Sequence, residues 1–259
     1  MPKTESWRPG LPSASAPYEG ALAALADRLE VVDDETSEWS RSYLRYAGRR
    51  YLDDLATVSR LHRGGEILEV GSLPCHLTYL LAQQGYTVVG LDVAPERASH
   101  FIADNDLCVV KCNVEAERLP FEDDRFGLVM FSELFEHLRI DPLATLEELF
   151  RVTRPGGTLV LSTPNLYATP TTLRFLRGRG FNDPVDAYKK LRTLGHPGHV
   201  RLYSAAEIKL FLVEAGFTCR EVSFFTPRPY KGRAAIVFNP LDRLVPKWRR
   251  YQRHIATKG

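Results

Sequence analysis

The chain has 259 residues, 44% apolar and 25% charged, a balance that permits one well-buried core and argues against both a disordered chain and a membrane protein. Its apolar runs, such as 127–131 and 158–161, fall far short of the roughly 20 residues that cross a bilayer, and they read as buried strands. A formal net charge of only +2 at pH 7 argues against a dedicated nucleic-acid binder at the level of the whole chain.

Residues 1–17 are rich in Ser and Pro and lack the apolar centre of a secretory signal. They read as a flexible arm, and a cytoplasmic location is expected. With no linker visible, 18–259 reads as a single domain, opened by a helical cap over 18–62. The stretch 36–61 carries Trp39, Tyr43 and Tyr51 and is placed to cover a ligand. Cys75, Cys108, Cys112 and Cys219 lie in or beside strand patterns without C-x-x-C spacing, so they read as buried reduced thiols.

From Ile67 onward short β-branched runs alternate with helical stretches, the pattern of a mainly parallel sheet with crossover helices. Strands are expected over 66–70, 87–91, 107–111, 126–131 and 157–162, with helices beginning near His76, Pro95, Ser132 and Pro142. The last of these stops at Val152, because Arg154-Pro-Gly-Gly157 cannot continue it. A long Pro-, Gly- and Arg-rich excursion over 163–201 reads as a lid or acceptor-side insertion. Ser204 with Glu207 three positions later makes a capping box for a helix reaching Ala215, terminated by Gly216. The runs 217–225 and 251–257 complete seven strands.

The segment Ile67-Leu-Glu-Val-Gly-Ser-Leu-Pro-Cys-His-Leu77 places an acid at the end of a strand, then a glycine that lets the backbone turn sharply so that a ligand can approach main-chain N–H groups. Further on, Thr87-Val-Val-Gly-Leu-Asp92 ends a strand in a carboxylate suited to a ribose diol. Asn113-Val-Glu-Ala-Glu-Arg-Leu-Pro-Phe121, Asp124-Arg-Phe-Gly-Leu-Val-Met-Phe131 and Leu149-Phe-Arg-Val-Thr-Arg-Pro-Gly-Gly157 follow in order.

Together these segments resemble the class I S-adenosylmethionine-dependent methyltransferases over about 150 residues. The resemblance implies an α/β, Rossmann-like fold with a seven-stranded, mostly parallel sheet, helices on both faces and a lid after the fifth strand. It implies S-adenosylmethionine as cofactor, held by Glu69, Gly71, Ser72, Asp92, Val93, Asn113, Val114 and Ser132. Leu73 and Cys75 stand where that family usually has glycine, so a bulkier loop is expected. A nicotinamide-dependent dehydrogenase is disfavoured because Gly71-Ser-Leu-Pro-Cys-His76 departs from G-x-G-x-x-G.

Ser132-Glu-Leu-Phe-Glu-His-Leu138 would put Glu133, Glu136 and His137 on one face of a helix starting at Ser132. With the distant Leu194-Gly-His-Pro-Gly-His-Val-Arg-Leu-Tyr203, this resembles the metal set of small-RNA 3′-terminal 2′-O-methyltransferases, and some quinone O-methyltransferases share the Glu-x-x-Glu-His element. The resemblance implies Glu133, Glu136, His137 and His199 as ligands, with His196 as second choice for the last. A mixed Glu/His set suits Mg²⁺ or Mn²⁺, and such an ion would acidify and align an acceptor hydroxyl. Two alternatives stay open: His137, backed by Glu136, acts without metal as base or orienter, or the group is structural.

The expected reaction is methyl transfer to an oxygen of a small-molecule acceptor, first a sugar or glycoside hydroxyl, with Tyr167, Arg174, Arg177, Tyr188 and Arg201 as candidate contacts. Between Arg228 and Lys258, nine basic residues accompany the single acid Asp242, which reads as a solvated basic edge or a mark of an anionic partner. An RNA-terminal acceptor and a non-catalytic binding protein of the same fold are the rival readings. Oligomeric state is not readable.

Overall fold

The computed structural model describes residues 18–31, 37–194 and 198–259. The arm 1–17 and His196 lie outside them. Two helices lead, α1 (Glu19–Val31) and α2 (Ser37–Leu61), followed by β1 (Glu66–Val70), α3 (His76–Gln83), β2 (Val88–Asp92), α4 (Ser99–Asp104), β3 (Val109–Lys111) and β4 (Phe126–Ser132). Then come α5 (Pro142–Val152), β5 (Thr153–Pro164), α6 (Thr169–Leu176), α7 (Pro184–Leu194), α8 (Ala205–Glu214), β6 (Thr218–Phe225), α9 (Arg233–Leu244) and β7 (Tyr251–Thr257).

The seven strands form one sheet in the order β3-β2-β1-β4-β5-β7-β6. Pairings from β3 through β5 are parallel, and β7 is antiparallel to both β5 and β6. Strand order reverses beside β1, between β2 and β4, and ligands of open α/β sheets bind outside the carboxyl ends of strands at such a point.

Alternation along the strands divides the core. Leu68, Val129 and Phe131 face one side and pack against Leu146 and Leu149 of α5 and Ile208 and Leu212 of α8. Ile67, Leu128 and Met130 face the other and meet Leu44, Leu55 and Val58 of α2 with Leu77 and Leu80 of α3. Each such fully buried side chain contributes roughly 1.5–3 kcal/mol over its exposed state.

Arg253 on β7 reaches across to α2, bonding Asp53 (2.6 Å), Asp54 (2.7 Å) and Thr57 (2.8 Å). Lys258 pairs with Asp124 at 2.7 Å. The basic C-terminal run is therefore not wholly a solvated edge.

Three other expectations are corrected. No α-helix starts at Ser132: β4 runs through it, Glu133 takes φ +57°, and only a 3-10 turn over Phe135–His137 follows. Helix α9 stands where only a basic edge was expected. Cys108 is exposed, since the edge strand β3 has no neighbour to cover its start, whereas Cys75 and Cys112 are buried.

Candidate active site

At the strand-order reversal, Gly71, Asp92, Val93, Asn113 and Val114 line a cavity of about 160 Å³ together with Leu134, His137 and Leu138. Gly71 has φ +75°, which demands glycine, and a Cβ there would also stand 2.9 Å from Leu134 Cδ2, so that the leucine tip would have to shift. Asp92 accepts from the Leu73 and Ala94 N–H groups, each at 3.1 Å, which orients its carboxylate at the cavity wall. Asn113 Oδ1 accepts from Glu115 N (3.1 Å), a local turn that fixes the loop after β3.

Glu69, Ser72 and Ser132 do not line this cavity. Glu69 is buried beneath the loop, where its carboxylate accepts a short hydrogen bond from Thr78 in the first turn of α3, and burial pushes it up to about 8. Ser72 is buried beside Cys75, and Ser132 Oγ is buried with no hydrogen-bond partner among the described residues. Cys75 adopts φ +65°, so the loop follows a glycine-like path with a cysteine side chain turned into the core. Trp39, Tyr43 and Tyr51 are absent from the lining; the two tyrosines instead pack on buried His76, whose imidazole burial pushes down to about 3.

Beside this cavity opens a larger one of about 520 Å³, walled by Pro164, Asn165, Ala168, Pro170, Phe181, Leu202 and Tyr251, with His137, His199, Asp186 and Lys190. His137 lines both cavities. None of Tyr167, Arg174, Arg177, Tyr188 and Arg201 lines the larger one. Arg174 donates to the Gly180 carbonyl, Arg201 pairs with Glu207, and Tyr167 and Tyr188 are exposed. The wall comes instead from α6, α7 and the entry to β7, an assembly that no local motif announces.

Glu136, His137 and His199 each present one ligand atom, all within 4.8 Å of one another. Glu136 Oε2 accepts from Thr163 (2.8 Å), while Oε1, buried without a hydrogen-bond partner, faces His137 Nε2 at 3.9 Å and His199 Nε2 at 3.8 Å. His137 Nδ1 donates to the Gly198 carbonyl at 3.0 Å. That bond selects the tautomer and leaves the lone pair on Nε2, toward the cluster. Burial holds the Glu136 carboxyl up at about 7 and His199 down to about 4, the nearby His137 adding to the latter.

Glu133 is not in this group. Its positive φ turns it toward a small cavity with Tyr46, Arg50, Arg250 and Tyr251, where burial and then Glu136 raise its carboxyl well above the usual range. Buried Arg50 is a further residue of this region that sequence reading overlooked; its sequence signal is a charge on the inner face of an amphipathic helix.

A family model described as "Methyltransferase domain" matches residues 42–222. A protein named as a probable S-adenosylmethionine-dependent methyltransferase of Mycolicibacterium smegmatis is 31% identical over 154 residues, 60% of this chain and 52% of that one. The ubiquinone biosynthesis O-methyltransferase of Psychrobacter arcticus is 26% identical over 167 residues, 61% of each chain. The chain thus spans between half and two-thirds of the length of these curated relatives. A solved S-adenosylmethionine-dependent methyltransferase from Thermotoga maritima superposes with a TM-score of 0.56 at 16% identity, covering 86% of this chain and 98% of that one.

Fold and site thus define a Rossmann-like α/β protein of the S-adenosylmethionine-binding class. The chain belongs to the methyltransferase-domain family of S-adenosylmethionine-dependent enzymes. The Gly71 cradle and the Asp92 carboxylate fit that cofactor. Among the described residues no helix is long and apolar enough to cross a membrane.

Proposed function

We propose that the protein methylates a hydroxyl oxygen of a small acceptor seated in the larger cavity, with Glu136, His137 and His199 holding a divalent cation, Mg²⁺ or Mn²⁺. The observation that carries this is the place of His137: it lines both cavities, so a donor over Gly71 and an acceptor beside His199 meet at its imidazole.

When bound, S-adenosylmethionine supplies an electrophilic methyl group with a neutral leaving group. The protein's part is then alignment and removal of the acceptor proton. Gly71, Asp92 and Asn113 hold the donor side. The His137 Nε2 lone pair, its direction set by the Gly198 carbonyl, faces Glu136 and His199; it would be a ligand where a cation is held there and the base for the hydroxyl proton where none is. A cation held at Glu136, His137 and His199 would lower the pKa of a coordinated hydroxyl.

The acceptor class is a compound with two adjacent oxygens, first a sugar or glycoside diol. The cavity wall supports this, mixing Phe181, Leu202 and Tyr251 with Asn165, Asp186 and Lys190 to suit a ring that is apolar on its face and hydroxylated at its edge. An aromatic diol is the second reading, favoured by likeness to an enzyme named for ubiquinone biosynthesis.

The test is methyl transfer from labelled S-adenosylmethionine to a panel of glycosides and catechols, with Mn²⁺ or with EDTA. Product on oxygen that requires the cation is the expected result. Methylation confined to amines, or transfer indifferent to EDTA, would discard respectively the oxygen acceptor and the metal.

A further inference from the structure

Helix α9 turns a mixed side inward, Asn239 and Asp242 with Phe238 and Leu241, and leaves a second apolar stripe, flanked by arginines, outward. Its inward side carries Asp242, buried and bonded to Thr169 of α6 (3.0 Å) and to Thr226 (2.7 Å). At 3.6 residues per turn, Arg233, Val237, Pro240 and Leu244 fall on one outward stripe, with Ile236 and Arg243 beside it. Ile236 is 76% exposed, Val237 51% and Leu244 78%. A helix packed only for its own chain would turn these side chains to the core and the carboxylate to water.

The charges around the stripe have one sign. Arg228, Lys231 and Arg233 lead into it, while Arg243 and Lys247 stand at its far end. All five are exposed, and none forms an ion pair among the described residues. The only acid between 228 and 247 is Asp242, which is turned away.

We propose that the outward face of α9 and its flanking cations dock on an anionic lipid bilayer. Ile236, Val237 and Leu244 enter the headgroup–acyl boundary, and the arginines and lysines meet lipid phosphates. An apolar stripe rimmed by Lys and Arg is the pattern of an interfacial helix. A protein partner matching five cations would have no acid on this stretch of the chain to set its register, whereas a bilayer needs none. The placement suits the enzyme: α6, bonded to α9 through Thr169, supplies Pro170 and Thr171 to the larger cavity, and Arg250 and Tyr251, just beyond α9, line it as well. Docking brings that cavity alongside the lipid and does not depend on which acceptor is methylated.

The experiment is co-sedimentation of the full chain with vesicles of phosphatidylcholine alone or with about 30 mol% phosphatidylglycerol, at low and high salt. Anionic vesicles are expected to retain the protein at least about tenfold better than neutral ones, with most of the difference lost at high salt. The double variant I236S/L244S should weaken binding at least about tenfold through lost apolar insertion. A second variant, K231Q/R233Q, should do the same, since each cation near an anionic surface contributes roughly fivefold. Both change exposed side chains, and unaltered thermal melts show that the fold persists. Equal retention by the two vesicle types, or variants that bind like the wild type, would overturn the proposal. So would a dimer that I236S/L244S dissolves without lipid, or an RNA oligonucleotide that outcompetes the anionic vesicles.

Discussion

His137 and His199 stand with ring centroids 4.9 Å apart and planes at 76°, one from the turn after β4 and the other from the segment before α8. They are brought together by a main-chain bond, Val200 N to the Glu136 carbonyl at 2.8 Å, and by a side-chain bond, His137 Nδ1 to the Gly198 carbonyl at 3.0 Å. Both imidazoles therefore face Glu136 Oε1, His137 at 3.9 Å and His199 at 3.8 Å, with His137 itself helping to hold the segment that carries His199. Held in this way, the three side chains would meet the proposed cation without rearrangement.

Removing one ligand should expose this. His199→Ala and Glu136→Gln are each expected to weaken Mn²⁺ binding by at least about a hundredfold, with a comparable fall in methyl transfer. Calorimetric titration with Mn²⁺ checks the first and a timed assay the second. Unchanged Mn²⁺ affinity in both variants would leave His137 as a metal-free base or orienter.

Asp92 is expected to hold the donor's diol. Asp92→Ala should raise the dissociation constant for S-adenosylhomocysteine by roughly 10- to 100-fold, the worth of one or two hydrogen bonds to a charged group. Calorimetry reads the constant directly, and a shift below about twofold would move the diol elsewhere.

Gly71→Ala should lower stability by about 1–3 kcal/mol, because the new Cβ sits at φ +75° and 2.9 Å from Leu134 Cδ2. The companion variant Gly71→Ala with Leu134→Ala separates the two causes: it relieves the contact but not the dihedral strain. Urea melts of the three proteins give the comparison.

Burial keeps Glu69 protonated up to about 8, against 4.5 for a free carboxyl. Between those values the unfolded chain binds fewer protons than the folded one. Glu69 therefore contributes full stability below about 4.5, and the contribution is lost as pH rises through 8, by up to about 1.4 kcal/mol per pH unit. Glu69→Gln should flatten this part of the profile, losing less stability than the wild type between pH 5 and pH 8. Parallel profiles from chemical denaturation would show that the carboxyl is already ionised in the fold.

Arg253→Ala removes the cation that bonds buried Asp54 at 2.7 Å and is expected to cost about 3 kcal/mol, the low end for a broken buried pair, since Arg50 at 3.8 Å still offsets part of the carboxylate's charge. The pair pins α2 to β7, so hydrogen exchange should accelerate in both elements. A loss below about 1 kcal/mol would mean that water reaches Asp54 once the arginine is gone.

Much of the architecture was legible because its determinants are neighbours in the chain. Strand β1 runs from Glu66 to Val70 and β7 from Tyr251 to Thr257, the bounds read from the sequence. Helix α5 stops at Val152 ahead of Arg154-Pro155, and the capping box of Ser204 and Glu207 opens α8 with both of its reciprocal bonds. The turn at Gly71 and the carboxylate ending β2 likewise depend on bonds within a few residues or between adjacent strands.

What the linear order left undecided involves contacts whose energy comes from elsewhere. Periodicity suggested that Glu133, Glu136 and His137 share a helical face, yet tertiary packing continues β4 into Ser132 and sends Glu133 toward Arg50. The wall of the larger cavity is assembled from separate stretches around 137, 164–171, 181–190, 198–202 and 250–251, and α9 takes its orientation from Asp242 bonding inward to Thr169 and Thr226. Composition and short-range spacing settled the sheet, the crossovers and the donor-side turn, because propensity, capping and strand alternation act over a few residues. Only the folded chain could decide which imidazole approaches Glu136 and which face of α9 meets solvent, because those choices rest on hydrogen bonds and burial between residues far apart in sequence.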